Sequence, residues 1–311
     1  MSKRVAIVGA GISGLLLGRE LQARGHDVVV LEKSRGLGGR LATKRVDASV
    51  FDQGAQFFTA RDESFVRLVS AWQESGLVAP WPGASAQRWI ARQSMNALGK
   101  ALAEGLAVRR ECRVLQARPE DNGWTLLIEN RPPLRVDRLA LTAPVPQSLA
   151  LLAAGEVPLP PALAMQLAAL TYHPCLALLL TLAGPGAVPA EGVAPESGPV
   201  RWLADNRLKG VSPGESAAVT VHLRPGFSAE HYDKPVTELM PLVLPSIEPW
   251  LGSPVTAATL HRWRYSEPAT THARPCEWLP GLGLGFAGDA FGGPRVEGAA
   301  LSGLALAAAM A

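Results

Sequence analysis

Cysteine is scarce in this sequence: Cys112, Cys175 and Cys276 are odd in number, far apart and in no CxxC arrangement. That excludes a disulfide framework and a zinc site and leads to the expectation of a reducing cytoplasm. Three thiols without a chemical role is the preferred reading. Charge of one sign is lacking too. Thirty basic and 27 acidic residues leave a net +3, only six of the basic residues are lysine, and no long run of like charge occurs. Nucleic acid is therefore not an expected partner, although basic side chains can still be focused on an anionic ligand. Long unbroken hydrophobic runs are also missing. Residues 157–190 contain no Asp, Glu, Lys or Arg, but Pro158, Pro160, Pro161, Pro174, Pro185 and Pro189 interrupt them. A spanning helix needs ~20 apolar residues with every backbone group bonded, so this segment reads as a buried strand with loops and no membrane is expected. The apolar run after Lys3 and Arg4 is too short for a signal peptide and enters a glycine motif. No Ser–His–Asp set, carboxylate pair, metal-ligand cluster or internal repeat stands out.

What is present is a 311-residue chain with 48% hydrophobic residues, enough for a large core and two lobes. Arg4–Val8 reads as a buried strand, Ile12–Arg24 as a helix and Asp27–Leu31 as a second strand, which makes a βαβ unit. Helices are expected over 62–75 and 94–105, the second capped by Ser94. Strands are expected around 107–110, 112–118, 124–129 and 135–143, and later over 171–182, 217–224 and 256–265. Residues 184–199 hold four glycines and four prolines in sixteen positions and read as a loop on the surface or over a cleft. Residues 233–251 have a helical pattern but contain Pro235, Pro241, Pro245 and Pro249, so a broken helix is expected. A last strand runs into a turn at "GFAGDAFGG", and a closing helix follows it.

The βαβ unit carries "GAGISG", which places Gly9, Gly11 and Gly14 as G-x-G-x-x-G. The first glycine suits the tight turn, the second lets a pyrophosphate approach the backbone, and the third permits close helix–strand packing. The helix start at Ile12 and Ser13 offers free N–H groups and a positive dipole end. Glu32 closes the second strand, 23 residues after Gly9, where a carboxylate accepts hydrogen bonds from a ribose. A dinucleotide binds here, and the unit alone does not choose between FAD and NAD(P).

A second cluster, "RGLGGRLATK" at 35–44, follows within a few residues. Gly39 and its neighbours let the backbone pass close to a bulky group, and Arg40 offers a guanidinium to phosphate oxygens. This stretch resembles the motif that follows the dinucleotide fingerprint in the flavin amine oxidase superfamily. "FDQGAQFF" (51–58) and "FAGDAFGGPRVEGAALSG" (286–303) are similar to two further motifs of that superfamily. The resemblance implies noncovalent FAD, a Rossmann-like α/β fold and a second, smaller α+β domain with a mixed or antiparallel sheet. It implies that Ala55, Gln56 and Phe57 run beside the flavin and that Asp289 meets the ribityl–pyrophosphate region. The helix beginning near Val296 and Glu297 would face the flavin N1–C2=O edge. Lys33 and Val114 complete the implied FAD set.

Within the superfamily, "SMNALGKALA", "TAPVPQSLALL", "RWLADNRLKG" and "HRWRYSEP" resemble the renalase group, especially its bacterial members. That resemblance implies oxidation of 2-dihydro-NAD(P), with 6-dihydro-NAD(P) as a second isomer, to NAD(P)+, with oxygen reduced to hydrogen peroxide as metabolite repair. Hydride loss from a dihydropyridine leaves an aromatic cation, so no general base is expected among the side chains. The implied substrate contacts are Phe57, Asn96, Trp202, Asn206, His222, Trp263 and Tyr265, with Arg262 or Arg264 on phosphates. His222 is expected to satisfy a local hydrogen bond. An FAD-binding domain is expected from 1–60, 94–148 and 270–311, and a substrate domain from 61–93 and 149–269. Rival readings are an oxidase of a small amine, with Lys209 as the lysine in a suitable region, a desaturase, and a non-catalytic redox sensor.

Overall fold

The computed structural model describes residues 2–84 and 87–311. Met1, Ser85 and Ala86, which fall within the expected domain ranges 1–60 and 61–93, lie outside the described residues. A six-stranded sheet forms the first lobe, in the order Glu277–Leu279, Leu284–Phe286, Arg138–Leu141, Arg4–Val8, Asp27–Leu31, Ala107–Arg109. All neighbours pair in parallel except the edge strand Glu277–Leu279. Alternate residues of the central strands feed two cores. Val5, Ile7, Val28 and Val30 join one, and Ala6, Val8, Val29 and Leu31 join the other. A sheet buried on both faces needs such continuous apolar runs, which is why "RVAIV" and "DVVVL" are legible as strands. The fold is Rossmann-like.

A three-stranded antiparallel sheet (Val114–Glu120, Gly123–Ile128, Leu134–Val136) packs beside it. The strand expected over 135–143 is two strands in two sheets, Leu134–Val136 and Arg138–Leu141. The break is at Asp137, whose N–H donates to the Arg4 carbonyl (2.8 Å) and whose carboxylate accepts from the Arg4 N–H (2.7 Å). The second lobe is built on a four-stranded antiparallel sheet, ordered Val200–Asp205, Ala218–Leu223, Tyr172–Leu182, Val255–Pro268. Its strand Val200–Asp205 went unread in the sequence, because the proline-rich loop before it hid the onset of regular structure.

The helix Val236–Leu251 covers that sheet and runs unbroken through Pro241, Pro245 and Pro249. The broken helix expected there is thus corrected. The prolines recur every four residues on the exposed side, while Leu239, Val243, Ile247 and Leu251 form the buried stripe. The carbonyls left without an N–H donor therefore face water, which satisfies them. The second expectation corrected is the cap at Ser94. The helix Met95–Ala103 starts after Ser94, but the Ser94 hydroxyl bonds Asn96. The helix end is satisfied from elsewhere in the chain: Asp52 accepts from the Met95 N–H (2.9 Å) and Thr43 Oγ1 from the Asn96 N–H (3.3 Å).

Because the Pro245 ring sits on the solvent face and only withholds a backbone donor, Pro245→Ala should stabilise the protein, by about 1–2 kcal/mol. Thermal unfolding of the variant should show a raised Tm.

Candidate functional site

The two glycine clusters meet in space. Gly38 pairs with Gly11 as an isolated parallel bridge, and the Gly38 N–H donates to the Ala10 carbonyl at 2.9 Å. A Cβ on Gly39 would lie 3.3 Å from the Gly11 Cα, and one on Gly14 would collide with the Gly9 carbonyl. Both positions therefore favour glycine by close approach. Glu32 is buried and fastens the arrangement: its carboxylate accepts from the Ala10 N–H (2.9 Å) and the Ser34 N–H (2.8 Å). Lys33 points outward to Gln147 at 3.2 Å.

Arg40 has a partner the sequence did not suggest. Its guanidinium grips the Asp289 carboxylate in a bidentate pair, with Nη2 2.7 Å from Oδ1, and Nη1 also reaches the Ser266 carbonyl at 3.2 Å. The expectation was a phosphate contact. Burial works against the charge on Arg40, but Asp289 more than offsets it and holds the guanidinium above its ordinary pKa. Residues 249 positions apart are thereby joined, so the second glycine motif and the C-terminal motif share one ion pair.

Asp52 is the second hub. It is fully buried, and its Oδ2 accepts from Lys209 Nζ at 2.7 Å, with both side chains excluded from solvent. Its Oδ1 accepts from Thr43 (2.6 Å) and from the Met95 N–H. Its backbone N–H donates to Asn206 Oδ1 (3.0 Å), and its carbonyl accepts from Thr220 Oγ1 (3.1 Å) and from Gln56 Nε2. Burial pushes the Lys209 ammonium below its ordinary pKa, and Asp52 opposes that shift.

A cleft of about 570 Å³ opens between these hubs. Of the residues implied by the sequence, Gly11, Ile12, Ser13, Arg40, Ala55, Gln56, Phe57, Asp289 and Val296 line it on one side. Trp202, His222 and Trp263 line it from the four-stranded sheet. The others lie elsewhere. Val114 is buried in the core beneath the three-stranded sheet. Asn206 is wholly buried and bonded to Asp52, Ala218 and Thr220. Asn96 sits at its helix start, and Tyr265 packs edge-on against Tyr172. Glu297 accepts from the Arg61 (2.6 Å) and Asp62 (2.7 Å) N–H groups and faces a separate cavity of about 390 Å³.

His222 Nε2 and Trp263 Nε1 both bond the Gln53 carbonyl, at 3.1 and 3.0 Å. Burial lowers the His222 pKa to about 4, so the ring is neutral and donates that bond. Phe57, Trp81 and Trp202 form a tilted aromatic cluster with the Arg88 guanidinium 4.7 Å from the Phe57 ring centroid. Arg262 and Arg264, implied as phosphate contacts, are on the outer side: Arg262 binds the Tyr232 and Lys234 carbonyls, and Arg264 covers the Tyr232 ring. The arginines on the cleft are Arg40, Arg201 and Arg295. Thr142 and the Arg201–Glu267 pair were missed in the sequence. Thr142 lies just past the carboxyl end of a parallel strand, a position that could have flagged it. The proline-rich 184–199 loop contributes Ala194 to the cleft and is tied down by Trp81 Nε1 to Ala190 (2.8 Å) and Arg88 to Glu191 (3.0 Å).

The cleft fits a flavin dinucleotide. Two helix N-termini, at Ile12 and Arg295, open into it without a side-chain cap. A Cβ on Gly11 would meet open space, and the buried Ser13 hydroxyl and Gln56 Oε1 have no protein partner. Such groups await an anionic, hydrogen-bonding ligand. Cys175 lines the cleft, but burial pushes its thiol up to about 12, unsuited to a covalent tether.

Comparison with known proteins agrees. The profile of an NAD(P)-binding Rossmann-like domain matches residues 7–72, and that of flavin containing amine oxidoreductases matches 82–311. A 4,4'-diapophytoene desaturase of Staphylococcus haemolyticus is 42% identical over 50 residues, 16% of this chain and 10% of the desaturase. The curated relatives it matches first are covered over a tenth or less of their own length. Among solved structures, a protein described as a protoporphyrinogen oxidase from Exiguobacterium sp. 255-15 superposes with a TM-score of 0.80 at 17% identity, covering 100% of this chain and 99% of that one. A putrescine oxidase bound to putrescine gives 0.71 at 15% identity, covering 100% and 99%. At these identities the likeness is one of fold. No helix among the described residues is long and apolar enough to cross a membrane.

Two variants test the hubs. Arg40→Ala leaves the Asp289 carboxylate buried without its cation and should reduce FAD retained after gel filtration, with far-UV circular dichroism preserved. Lys209→Ala leaves Asp52 unpaired in the interior and should cost roughly 3–5 kcal/mol in denaturant unfolding.

Proposed function

The chain belongs to the flavin-containing amine oxidoreductase family, and we propose that within it this FAD-dependent oxidoreductase is a renalase-like oxidase of isomeric dihydronicotinamide dinucleotides. In the net reaction 2-dihydro-NAD(P), or its 6-dihydro isomer, gives up a hydride and becomes NAD(P)+, while dioxygen takes up that hydride and a proton to give hydrogen peroxide. Bound flavin supplies the hydride acceptor and the route for the electrons to oxygen. The role is repair of misreduced cofactor, and the FAD is held without a covalent bond. The division into an FAD-binding lobe and a substrate lobe, with the residues above in those roles, is part of the same proposal.

The observation that carries this reading is the Lys209–Asp52 pair. Many amine oxidases place a lysine beside the flavin, and Lys209 is the lysine that this sequence offers for the task. Its ammonium is bonded to Asp52 at 2.7 Å and does not line the cleft. His222, on the sheet wall, is neutral and bonded to Gln53. The rings that face the cleft are Trp202 and Trp263 on that wall and Phe57 on the other side. Such walls suit a planar ring that must be stacked and aligned. They suit less well an amine that must first lose a proton.

Stopped-flow reduction of the FAD-loaded protein tests the reading. Rapid bleaching is expected with 2-dihydro-NAD(P), and slow bleaching with primary amines or 4-dihydro-NAD(P)H. Fast bleaching by an amine would overturn it. The bleaching rate with the dihydronicotinamide should also stay flat between ~pH 5.5 and 8.5, because His222, held at about 4, does not titrate in that window.

A further inference from the structure

The charged side chains on the cleft are Arg40, Asp289, Arg201, Glu267 and Arg295. Arg40 has its donors on Asp289 and on backbone carbonyls. Arg295 stands at the N-terminus of the closing helix, on the side of the glycine loops and Val296. Among the described residues, Arg201 is the one that presents a cation to the cleft from the four-stranded sheet, next to Trp202 and facing the same space as His222 and Trp263. It starts one edge strand of that sheet, while Glu267 ends the opposite edge strand. The two side chains meet across the sheet, with Nη1–Oε1 at 2.6 Å and Nη2–Oε2 at 3.1 Å. Cys175, on the strand between them, lies beneath the pair in the cleft wall. Arg201 is 45% exposed, and a guanidinium carries five N–H donors, of which Glu267 engages one on each terminal nitrogen. Donors therefore remain for a second anion, and Glu267 holds the fork in place until one arrives.

We propose that Arg201 is the docking group for the pyrophosphate of a dinucleotide substrate, with Glu267 as its built-in counter-ion and orienting partner. This rests on the dihydronicotinamide reading above and adds where the charged half of the substrate is held. A planar fork beside an aromatic wall can fix an anion and a ring together, and the distance between them then selects which ring carbon meets the acceptor. A cationic amine would meet the opposite arrangement: it would be drawn to Glu267 and repelled by Arg201.

The probe is NAD+, titrated by calorimetry into FAD-loaded protein so that the FAD site is filled, with nicotinamide as the ring-only control. The wild-type protein should bind NAD+, and Arg201→Ala should weaken it on the order of tenfold or more. Glu267→Gln, which keeps the shape and removes the competing charge, should tighten it severalfold. The advantage of NAD+ over nicotinamide should collapse in Arg201→Ala. Equal NAD+ affinity in wild type and Arg201→Ala overturns the docking role, as does a loss confined to Arg295→Ala, or no binding by the wild type. Each of those leaves the functional reading to the flavin-bleaching experiment, which does not depend on them. If an amine binds more tightly to Arg201→Ala and more weakly to Glu267→Gln, both the docking role and the reading fall.

Discussion

The buried pair between Asp52 and Lys209 is the constraint on which the cleft depends. Withdrawing two charges from water is expensive, and their attraction offsets that only when every remaining lone pair and proton is bonded. Here it is. Asp52 uses both carboxylate oxygens, its N–H and its carbonyl on six partners from four places: Thr43 on the antiparallel pair Thr43–Val46 and Ser49–Asp52, Met95 at a helix start, Asn206, Lys209 and Thr220 in the second lobe, and Gln56 beside the cleft. Such a node adds little net stability compared with an apolar replacement. It does fix one relative placement of these elements, because any slip would strand a carboxylate or an ammonium in the interior.

The same economy of charge appears on the cleft wall. Arg40 is matched by Asp289 and Arg201 by Glu267, so these two cations each already have an internal anion. The pairs differ in exposure: Arg40 and Asp289 are 30% and 6% exposed, whereas Arg201 and Glu267 are 45% and 29% exposed. The first is therefore suited to joining distant segments of chain. The second, partly hydrated and screened, is cheap enough to rearrange when a ligand arrives.

How much of this the sequence disclosed follows the range of the interactions. The βαβ unit is local, and two continuous apolar strands, a glycine turn and a strand-end acid lie within 32 residues, so it could be read directly. The alternation in "HRWRY" was legible as two faces. Nothing local says which face meets the cleft, and the arginines prove to be on the outer one. The pairs Asp52–Lys209 and Arg201–Glu267 join positions 157 and 66 apart and have no pattern signature, because an ion pair between distant segments leaves no periodicity. The helix Val236–Leu251 failed in the other direction. Proline is a breaker in isolation, but three prolines on the hydrated stripe leave the buried stripe of Leu239, Val243, Ile247 and Leu251 intact.

Geometry must carry the selectivity that the proposed reaction demands. The 2-, 4- and 6-dihydro isomers have the same charge and nearly the same shape, so no acid, base or ion pair tells them apart. They differ in which ring carbon carries the hydride, and thus only in which carbon lies against the acceptor. A site that separates them must hold the wall that touches the ring in fixed register with the segment beside the cofactor. The Gln53 carbonyl does this directly. It accepts from His222 and Trp263 on the sheet wall, while the next residues, Gly54 to Phe57, run along the other side of the cleft. One backbone carbonyl thus ties both walls, and Asp52, immediately before it, anchors that carbonyl to the interior. A shift of the wall by an ångström or more would have to break two hydrogen bonds at Gln53 or expose the charge at Asp52. The rigidity needed to choose between isomers is therefore supplied by the same node that assembles the lobes.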